Sequence, residues 1–300
     1  MHCRKLLLSF RILSVFFASA VATVCAANDA DLVNDCLEQP AANTLPPNAL
    51  SVLSLNISHG RNTALNQLFV GKERTYQNLD AITKLLDATK ADVVALQEAD
   101  GPSRWSGNFD HVAYLAQQSR FPCRTHGLHS RRWISSYGTA LLSRSRPVAS
   151  ASVQFSPSWP SKQKGYVSST FEWATDEGDV ILTAVSVHFD FLRERVRDRQ
   201  ADEMVAGLSN IDGPLILMGD INSQWGGDNS TVRRLADALK LRAFFPERDG
   251  LGTYKEPDGK RLDWILISED LEFRDYRTLP DVVSDHYAVY AEIAYRGKRE

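Results

Sequence analysis

The feature that most constrains the fold is a series of eight short apolar runs with β-strand composition, spread over residues 50–293. Apolar residues with helical spacing occur in four segments between them, 73–90, 109–118, 193–209 and 229–240. Many strands with few helices predict an α/β (α+β) chain of two packed sheets flanked by helices. The runs are Leu50–Leu55, Val93–Leu96, Thr139–Leu142, Val167–Trp173, Val180–Val187, Leu215–Met218, Leu262–Ile267 and Tyr287–Ile293.

Side chains that bind phosphate or metal stand at the ends of six of these runs. Four runs end in such a group and two begin with one. If the first four strands run toward one edge of the sheets and the last two run away from it, these groups meet there. Carboxylate and amide oxygens suit Mg²⁺ or Mn²⁺ better than they suit a thiolate-binding metal. In chain order the groups are Asn56, Gln97-Glu98, His188, Asp220 with Asn222, Asp263, and Asp285-His286.

These groups belong to seven short motifs. They are LSLN at 53–56, LQE at 96–98, YGTALLS at 137–143, SVH at 186–188, GDIN at 219–222, LDWI at 262–265 and SDH at 284–286. In this order they resemble the endonuclease/exonuclease/phosphatase superfamily, which includes deoxyribonuclease I-like, exonuclease III-like and sphingomyelinase-like enzymes. The resemblance extends from Leu50 to Ile293. It implies a four-layer, deoxyribonuclease I-like sandwich that hydrolyses phosphate esters with Mg²⁺ or Mn²⁺.

The resemblance implies a metal side of the site formed by three residues. It assigns Glu98 as a ligand of the divalent cation, Asn56 to the completion of the ion's shell, and Asp285 to the same side. A cation is required because carboxylates cannot neutralise the charge on phosphoryl oxygens.

Five further residues receive catalytic roles from the resemblance. Asp220 orients or deprotonates the attacking water, and Asn222 holds a phosphoryl oxygen or positions a partner of Asp220. His188 donates to the phosphate oxygens. His286 contacts the phosphate as a base or charge stabiliser, and Asp263 fixes its tautomer from the other ring nitrogen. Which histidine is the acid or the base stays open at this point.

Two more residues are expected near the substrate. Repair-type members carry an aromatic residue two positions before the motif glycine, where Ser136 stands here, and Tyr137 is one place away. Arg199 ends a series of alternate arginines that begins at Arg193 and follows His188. The acidic residues between these arginines are equally typical of a solvated, salt-bridged helix face.

The N-terminus has the pattern of an export signal. Arg4 and Lys5 precede an apolar stretch to Val24, and small residues follow at Ala26-Ala27. This pattern predicts a signal peptide over 1–27, with an uncleaved anchor or a lipoprotein as alternatives. Residues 28–48 are interpreted as an N-terminal lead-in and residues 49–300 as one phosphoesterase domain. We therefore expect a periplasmic or extracellular protein.

Two cysteines remain after removal of that segment, Cys36 and Cys123. An even pair in an exported chain predicts one disulfide, with two free thiols as the alternative. The spacing of Cys123 with His126 and His129 also permits a zinc site, but a fourth ligand is missing nearby in sequence.

Charge restricts the substrate only weakly. The chain carries 34 Lys and Arg against 37 Asp and Glu, so it lacks the basic excess usual for binding DNA through its backbone. We expect a phosphodiesterase that acts as a monomer on a nucleic acid, a phospholipid or a small phosphodiester, with no stable protein partner. A sphingomyelinase-like lipid phosphodiesterase, a sugar-phosphate phosphatase and an inactive binding protein remain alternatives. Trp105, Trp133, Trp159 and Trp225 lie in predicted loops, where they can contact a membrane, stack on nucleobases or cover the core.

Overall fold

Fourteen strands and four helices make up the described part of the chain in the computed structural model, which describes residues 32–37, 41–255 and 259–297. The strands are β1 (Leu32–Cys36), β2 (Thr44–Leu45), β3 (Leu50–Asn56), β4 (Val93–Asp100), β5 (Cys123–Arg131), β6 (Ser136–Ser143), β7 (Ala149–Gln154), β8 (Gly165–Thr175), β9 (Gly178–His188), β10 (Leu215–Asp220), β11 (Leu241–Ala243), β12 (Asp263–Ser268), β13 (Leu271–Thr278) and β14 (Val289–Tyr295). The helices are α1 (Lys72–Thr89), α2 (His111–Gln118), α3 (Glu194–Leu208) and α4 (Thr231–Ala238).

The strands form two mixed sheets of seven strands each. The first has the order β1-β5-β6-β4-β3-β14-β13, and the second has the order β11-β12-β10-β9-β8-β2, with β7 also paired to β8. All eight predicted runs overlap strands, although the last two begin one and two residues before β12 and β14, and all four predicted helices are present. The predicted fold class is therefore confirmed.

Three hydrophobic clusters hold the layers together. In β3, Leu50 and Val52 face the cluster between the sheets, whereas Leu53 and Leu55 face a second cluster against α1 and α2. A third cluster joins α3 and α4 to the outer face of the second sheet. The inner strands are apolar on both faces because each lies between two packed layers.

Strand direction brings the polar strand ends together. In the first sheet β3 and β4 are parallel and β14 is antiparallel to β3. In the second sheet β9 and β10 are parallel and β12 is antiparallel to β10. The ends of β3, β4, β9 and β10 and the starts of β12 and β14 consequently share one edge of the sandwich, which we call the rim.

The lead-in contributes a strand to each sheet. Its residues 32–36 form β1 at the edge of the first sheet, and residues 44–45 form β2 in the second sheet. Cys36 and Cys123 are register partners in the β1–β5 pair, and their sulfurs are bonded at 2.07 Å. The predicted signal peptide, 1–27, lies outside the described residues. No helix in the described ranges is long and apolar enough to cross a membrane.

The zinc alternative does not fit the structure. The sulfur of Cys123 is used in the disulfide. His126 Nε2 lies 3.1 Å from the carbonyl oxygen of Ala99, and His129 Nε2 lies 2.9 Å from the hydroxyl oxygen of Thr139. These two histidines are buried members of the sheet, and each already has a hydrogen-bond partner.

Candidate active site

A cleft of about 660 Å³ opens at the rim and contains most of the predicted site. Seven of the eight residues predicted for catalysis or metal binding line it, and the eighth, Asp263, is fully buried in contact with His286. Both sheets contribute, so the cleft exists only because the two sheets are packed together. The seven lining residues are Asn56, Glu98, His188, Asp220, Asn222, Asp285 and His286.

Asp220, the last residue of β10, is held from several sides. The Asn56 side chain donates to Oδ2 at 3.0 Å, and the backbone N–H of Asn222 donates to Oδ1 at 3.0 Å. His188 Nε2 lies 3.4 Å from Oδ2. Burial raises the pKa of Asp220 well above its usual range, and the charge of Asp263 raises it further. A carboxyl group with such a pKa is suited to accepting a proton near neutral pH.

His286 forms the opposite wall of this pocket. Its Nδ1 lies 2.8 Å from Asp263 Oδ2, and its Nε2 lies 3.9 Å from Asp220 Oδ2. Burial alone would lower the pKa of His286, but the charges of Asp263 and Asp220 outweigh it and raise the pKa. The carboxylate behind the ring also fixes its orientation. The geometry therefore presents a cationic imidazole to the cleft.

Glu98 projects from a β-bulge in β4. The bulge lies between Gln97 and Ala99, and Glu98 adopts a left-handed φ of 50°. Such bulges redirect a side chain and are frequent beside active sites. Burial alone would raise the pKa of Glu98, but His59 and Lys164, with His188, hold it far below its usual range. Glu98 therefore stays anionic at the cleft.

His59, which the sequence analysis missed, connects two carboxylates. Its Nε2 lies 3.2 Å from Glu98 Oε2, and its Nδ1 lies 2.7 Å from Asp100 Oδ1. The indole of Trp105 donates to the other oxygen of Asp100 at 2.8 Å. The ring centroid lies 4.8 Å from that of Trp105 and 4.6 Å from that of Tyr137. His59 thus lies behind Glu98 in a packed polar chain.

Lys164 is a second residue that the sequence analysis missed. It is buried, with Nζ 3.1 Å from both ring nitrogens of His188 and 3.9 Å from Glu98 Oε1. Burial lowers the pKa of Lys164, while the charge of Glu98 opposes this change. Burial and the neighbouring ammonium together lower the pKa of His188 well below its usual value. The two cleft histidines therefore have opposite charge preferences.

Asp285 has an unpredicted cationic partner. Arg61 Nη2 donates to its Oδ2 at 2.9 Å, and both residues line the cleft. The loop that follows β3 delivers Arg61, five residues after Asn56. A carboxylate assigned to the metal side is thus already bound to a guanidinium.

The structure places the two predicted substrate residues differently. Tyr137 is buried beside His59, and burial raises its pKa. Arg199 lies on the exposed side of α3, where it pairs with Glu203 at 3.6 Å and donates to the carbonyl of Pro157. Arg197 of the same helix lines the cleft instead.

The donor groups at the rim fit a hard divalent cation. An oxygen of Asp220 and an oxygen of Asp263 lie within 4.8 Å of each other and of a ring nitrogen of His286. Oδ1 of Asp263 is buried and has no hydrogen-bond partner among the described residues, so a strong acceptor is left over. Glu98 supplies a further carboxylate at the same cleft. Asn56 uses its amide differently, since it donates to Asp220 and accepts from a backbone N–H.

A family comparison gives the same relationship as the motifs. The model described as "Endonuclease/Exonuclease/phosphatase family" matches residues 53–286, which include all eight residues assigned to catalysis or metal binding. A search of the curated proteins gives no match.

Three solved structures illustrate the shared fold. A family protein from Leptotrichia buccalis C-1013-b has a TM-score of 0.64 at 16% identity, over 82% of this chain and 100% of that chain. The mannosyl-6-phosphatase of Bacteroides thetaiotaomicron VPI-5482 has a TM-score of 0.58 at 16% identity, over 82% of this chain and 100% of that chain. The human Nocturnin catalytic domain with bound sulfate has a TM-score of 0.59 at 16% identity, over 90% of this chain and 99% of that chain. At this identity the similarity establishes the fold alone.

Proposed function

The chain belongs to the endonuclease/exonuclease/phosphatase family, and from this we propose that it is a metal-dependent phosphodiesterase that cleaves P–O bonds by attack of water. The observation that carries the proposal is the position of Asp220. It accepts hydrogen bonds from Asn56 and Asn222 and faces His286, whose ring is fixed by Asp263. These groups match the needs of water activation and charge stabilisation at phosphorus.

The chain's own residues have separate tasks in this reaction. A bound divalent cation would neutralise charge on the phosphoryl oxygens. Asp220, whose pKa is raised, accepts a proton from the attacking water. His286, whose pKa is also raised, donates from Nε2 to a phosphoryl oxygen while Asp263 holds Nδ1. Glu98 and Asp263 would supply oxygen ligands for Mg²⁺ or Mn²⁺ when the cation is bound.

A substrate panel tests the proposal. Bis-p-nitrophenyl phosphate, DNA, RNA, sphingomyelin and sugar phosphates are each incubated with Mg²⁺, Mn²⁺ or EDTA. We expect cleavage of at least one diester that requires a cation, and we expect Asp220→Asn to remove it. Cleavage of monoesters alone would make the protein a phosphatase. Full activity in excess EDTA would reject the metal-dependent reaction.

Export as a monomer completes the proposal. The disulfide between Cys36 and Cys123 supports it, because such bonds persist in oxidising compartments. The intact mass of protein recovered from the periplasm or the medium tests cleavage after residue 27. An intact N-terminus would favour the anchor, and size-exclusion chromatography tests the monomer.

A further inference from the structure

Exposed apolar side chains of the described residues are concentrated at the rim. The described residues include twelve exposed large hydrophobic side chains, and ten of these lie in loops at the rim end of the sheets. The most exposed are Leu65 at 98%, Phe69 at 87%, Trp133 at 85% and Trp159 at 80%. The ten are Leu65, Leu68, Phe69, Trp133, Ile134, Trp159, Phe191, Leu192, Phe245 and Val282.

Eight of these side chains belong to neighbouring loops beside the cleft. The turn 67–69 packs against the turn 104–106. The backbone N–H of Trp105 donates to the carbonyl of Ile134 at 3.1 Å, and Lys162 Nζ lies 3.7 Å from the centroid of a Trp105 ring. Arg193 donates to the carbonyl of Trp159 at 2.9 Å, and Phe191 and Leu192 line the cleft. We call loops 57–71, 101–110, 131–135, 155–164 and 189–195 the apolar-basic face.

Charge on this face opposes the charge of the whole chain. Its five segments contain eight Lys and Arg but three Asp and Glu, and seven against two remain when buried Lys164 and Asp190 are left out, whereas the chain has 34 against 37. Arg104 lies with its guanidinium 5.5 Å from the Trp133 ring, so cationic and apolar groups occupy the same loop tips. Basic residues interleaved with exposed Trp, Phe and Leu are typical of surfaces that bind anionic membranes.

We propose that the apolar-basic face docks on an anionic phospholipid surface and so presents lipid headgroup phosphodiesters to the cleft. The proposal rests on the proposed function for the chemistry, but docking itself does not require hydrolysis. The apolar groups lie at the tips of separate loops beside the cleft, and such tips can enter a deformable lipid layer together. Aliphatic tips such as Leu65, Leu68 and Leu192 favour hydrocarbon over nucleobases, because they offer no ring for stacking.

Vesicle flotation tests the docking. The purified protein is mixed in EDTA with vesicles of phosphatidylcholine, alone or with phosphatidylglycerol. We expect binding to the anionic vesicles that weakens as salt is raised. Trp133→Ser should lower the affinity by about tenfold through lost apolar burial. Arg132→Glu should lower it by more than about fivefold, the effect of removing one cation.

Matched controls come from exposed apolar residues away from the rim. Ile181 in β9 and Val148 before β7 are 46% and 55% exposed at the other end of the sandwich. Ile181→Ser and Val148→Ser should leave vesicle binding unchanged, and every variant carries the same N-terminus as the wild type. Equal losses for Ile181→Ser and Trp133→Ser would overturn the proposal, as would wild-type protein that fails to float at low salt.

The two proposals fail separately. Turnover of soluble bis-p-nitrophenyl phosphate by the wild type tests the proposed function alone, whereas flotation in EDTA tests docking alone. If a single-stranded oligonucleotide binds in a Trp133-dependent way and vesicles do not, the face is a nucleic-acid surface and the lipid assignment is wrong.

Discussion

The bridge formed by His59 supports a prediction with two opposed variants. An Asn side chain places its amide near the position of Nδ1, so His59→Asn keeps the bond to Asp100 and loses the 3.2 Å contact with Glu98. A Gln side chain reaches the position of Nε2, so His59→Gln keeps the contact with Glu98 and loses that with Asp100. Both variants lose the same ring packing against Trp105 and Tyr137.

The structure predicts that His59→Asn is the weaker metal binder of the two variants and His59→Gln is the less stable one. Residues behind a metal ligand contribute about 10- to 100-fold in metal affinity, so His59→Asn should weaken Mn²⁺ binding by that factor and His59→Gln by less. His59 has a φ of 54°, which Asn tolerates better than Gln. The Gln variant should therefore be less stable, by about 1 kcal/mol.

Isothermal titration with Mn²⁺ measures the first quantity, and urea unfolding in EDTA measures the second. The reasoning requires the Asn variant to be the more stable and the weaker metal binder. If Mn²⁺ affinity simply follows stability, with the Gln variant worse in both, His59 only supports the fold and does not orient Glu98.

Four other outcomes are expected. Glu98→Gln should reduce Mn²⁺ affinity and turnover together with the circular dichroism spectrum retained, and turnover lost in EDTA should return with Mg²⁺ or Mn²⁺. Asp220→Asn and His286→Ala should each lower kcat by about 10²- to 10⁴-fold. Because both residues act on one reaction centre, the loss in the double variant should be far smaller than the product of the two single losses. A loss equal to that product would indicate separate sites. Cys36→Ser should lower the free energy of unfolding by up to about 4 kcal/mol without affecting turnover, because the disulfide joins strand ends away from the rim; an unchanged urea midpoint contradicts this. Burial lowers the pKa of His129 to about 3, so below about pH 6.5 this histidine binds a proton in the unfolded chain before it does so in the folded one. The free energy of unfolding should therefore fall as pH drops from about 6.5 toward 3, by at most about 1.4 kcal/mol per pH unit. Urea unfolding of His129→Gln should show a smaller fall per pH unit.

The sequence was sufficient for the strands that carry the site. Parallel β3 and β4 and parallel β9 and β10 end at the same edge, so a polar residue after an apolar run was enough to place Glu98 and Asp220. Edge strands were harder to predict. β1 has polar residues at Asn34 and Asp35, and its pairing depends on β5, 87 residues away at the disulfide.

Three site residues needed information that a single run does not contain. His59 and Arg61 follow the end of β3 by three and five residues, and a search confined to the strand end excludes them. Lys164 directly precedes β8, whose predicted run began two residues late at Val167. A search of the residues before each run, which found Asp285 and His286 ahead of Tyr287, would have found Lys164 with the correct strand start. The pairing of Asp285 with Arg61 depends on a loop conformation that apolar periodicity does not encode.

The hydrogen bond from Asn56 to Asp220 spans 164 residues and joins the two sheets. Beneath it, Gln97 donates to Ser186, and Ser186 donates to the carbonyl of Leu96, across the same interface. Contacts so distant in sequence are costly in chain entropy, because a long loop must close before they are made. A chain whose sheets have not docked therefore lacks the assembled cleft, and with it the site proposed for hydrolysis. Under the proposed export, a chain that crosses the membrane before its sheets dock would assemble the cleft only outside the cytoplasm.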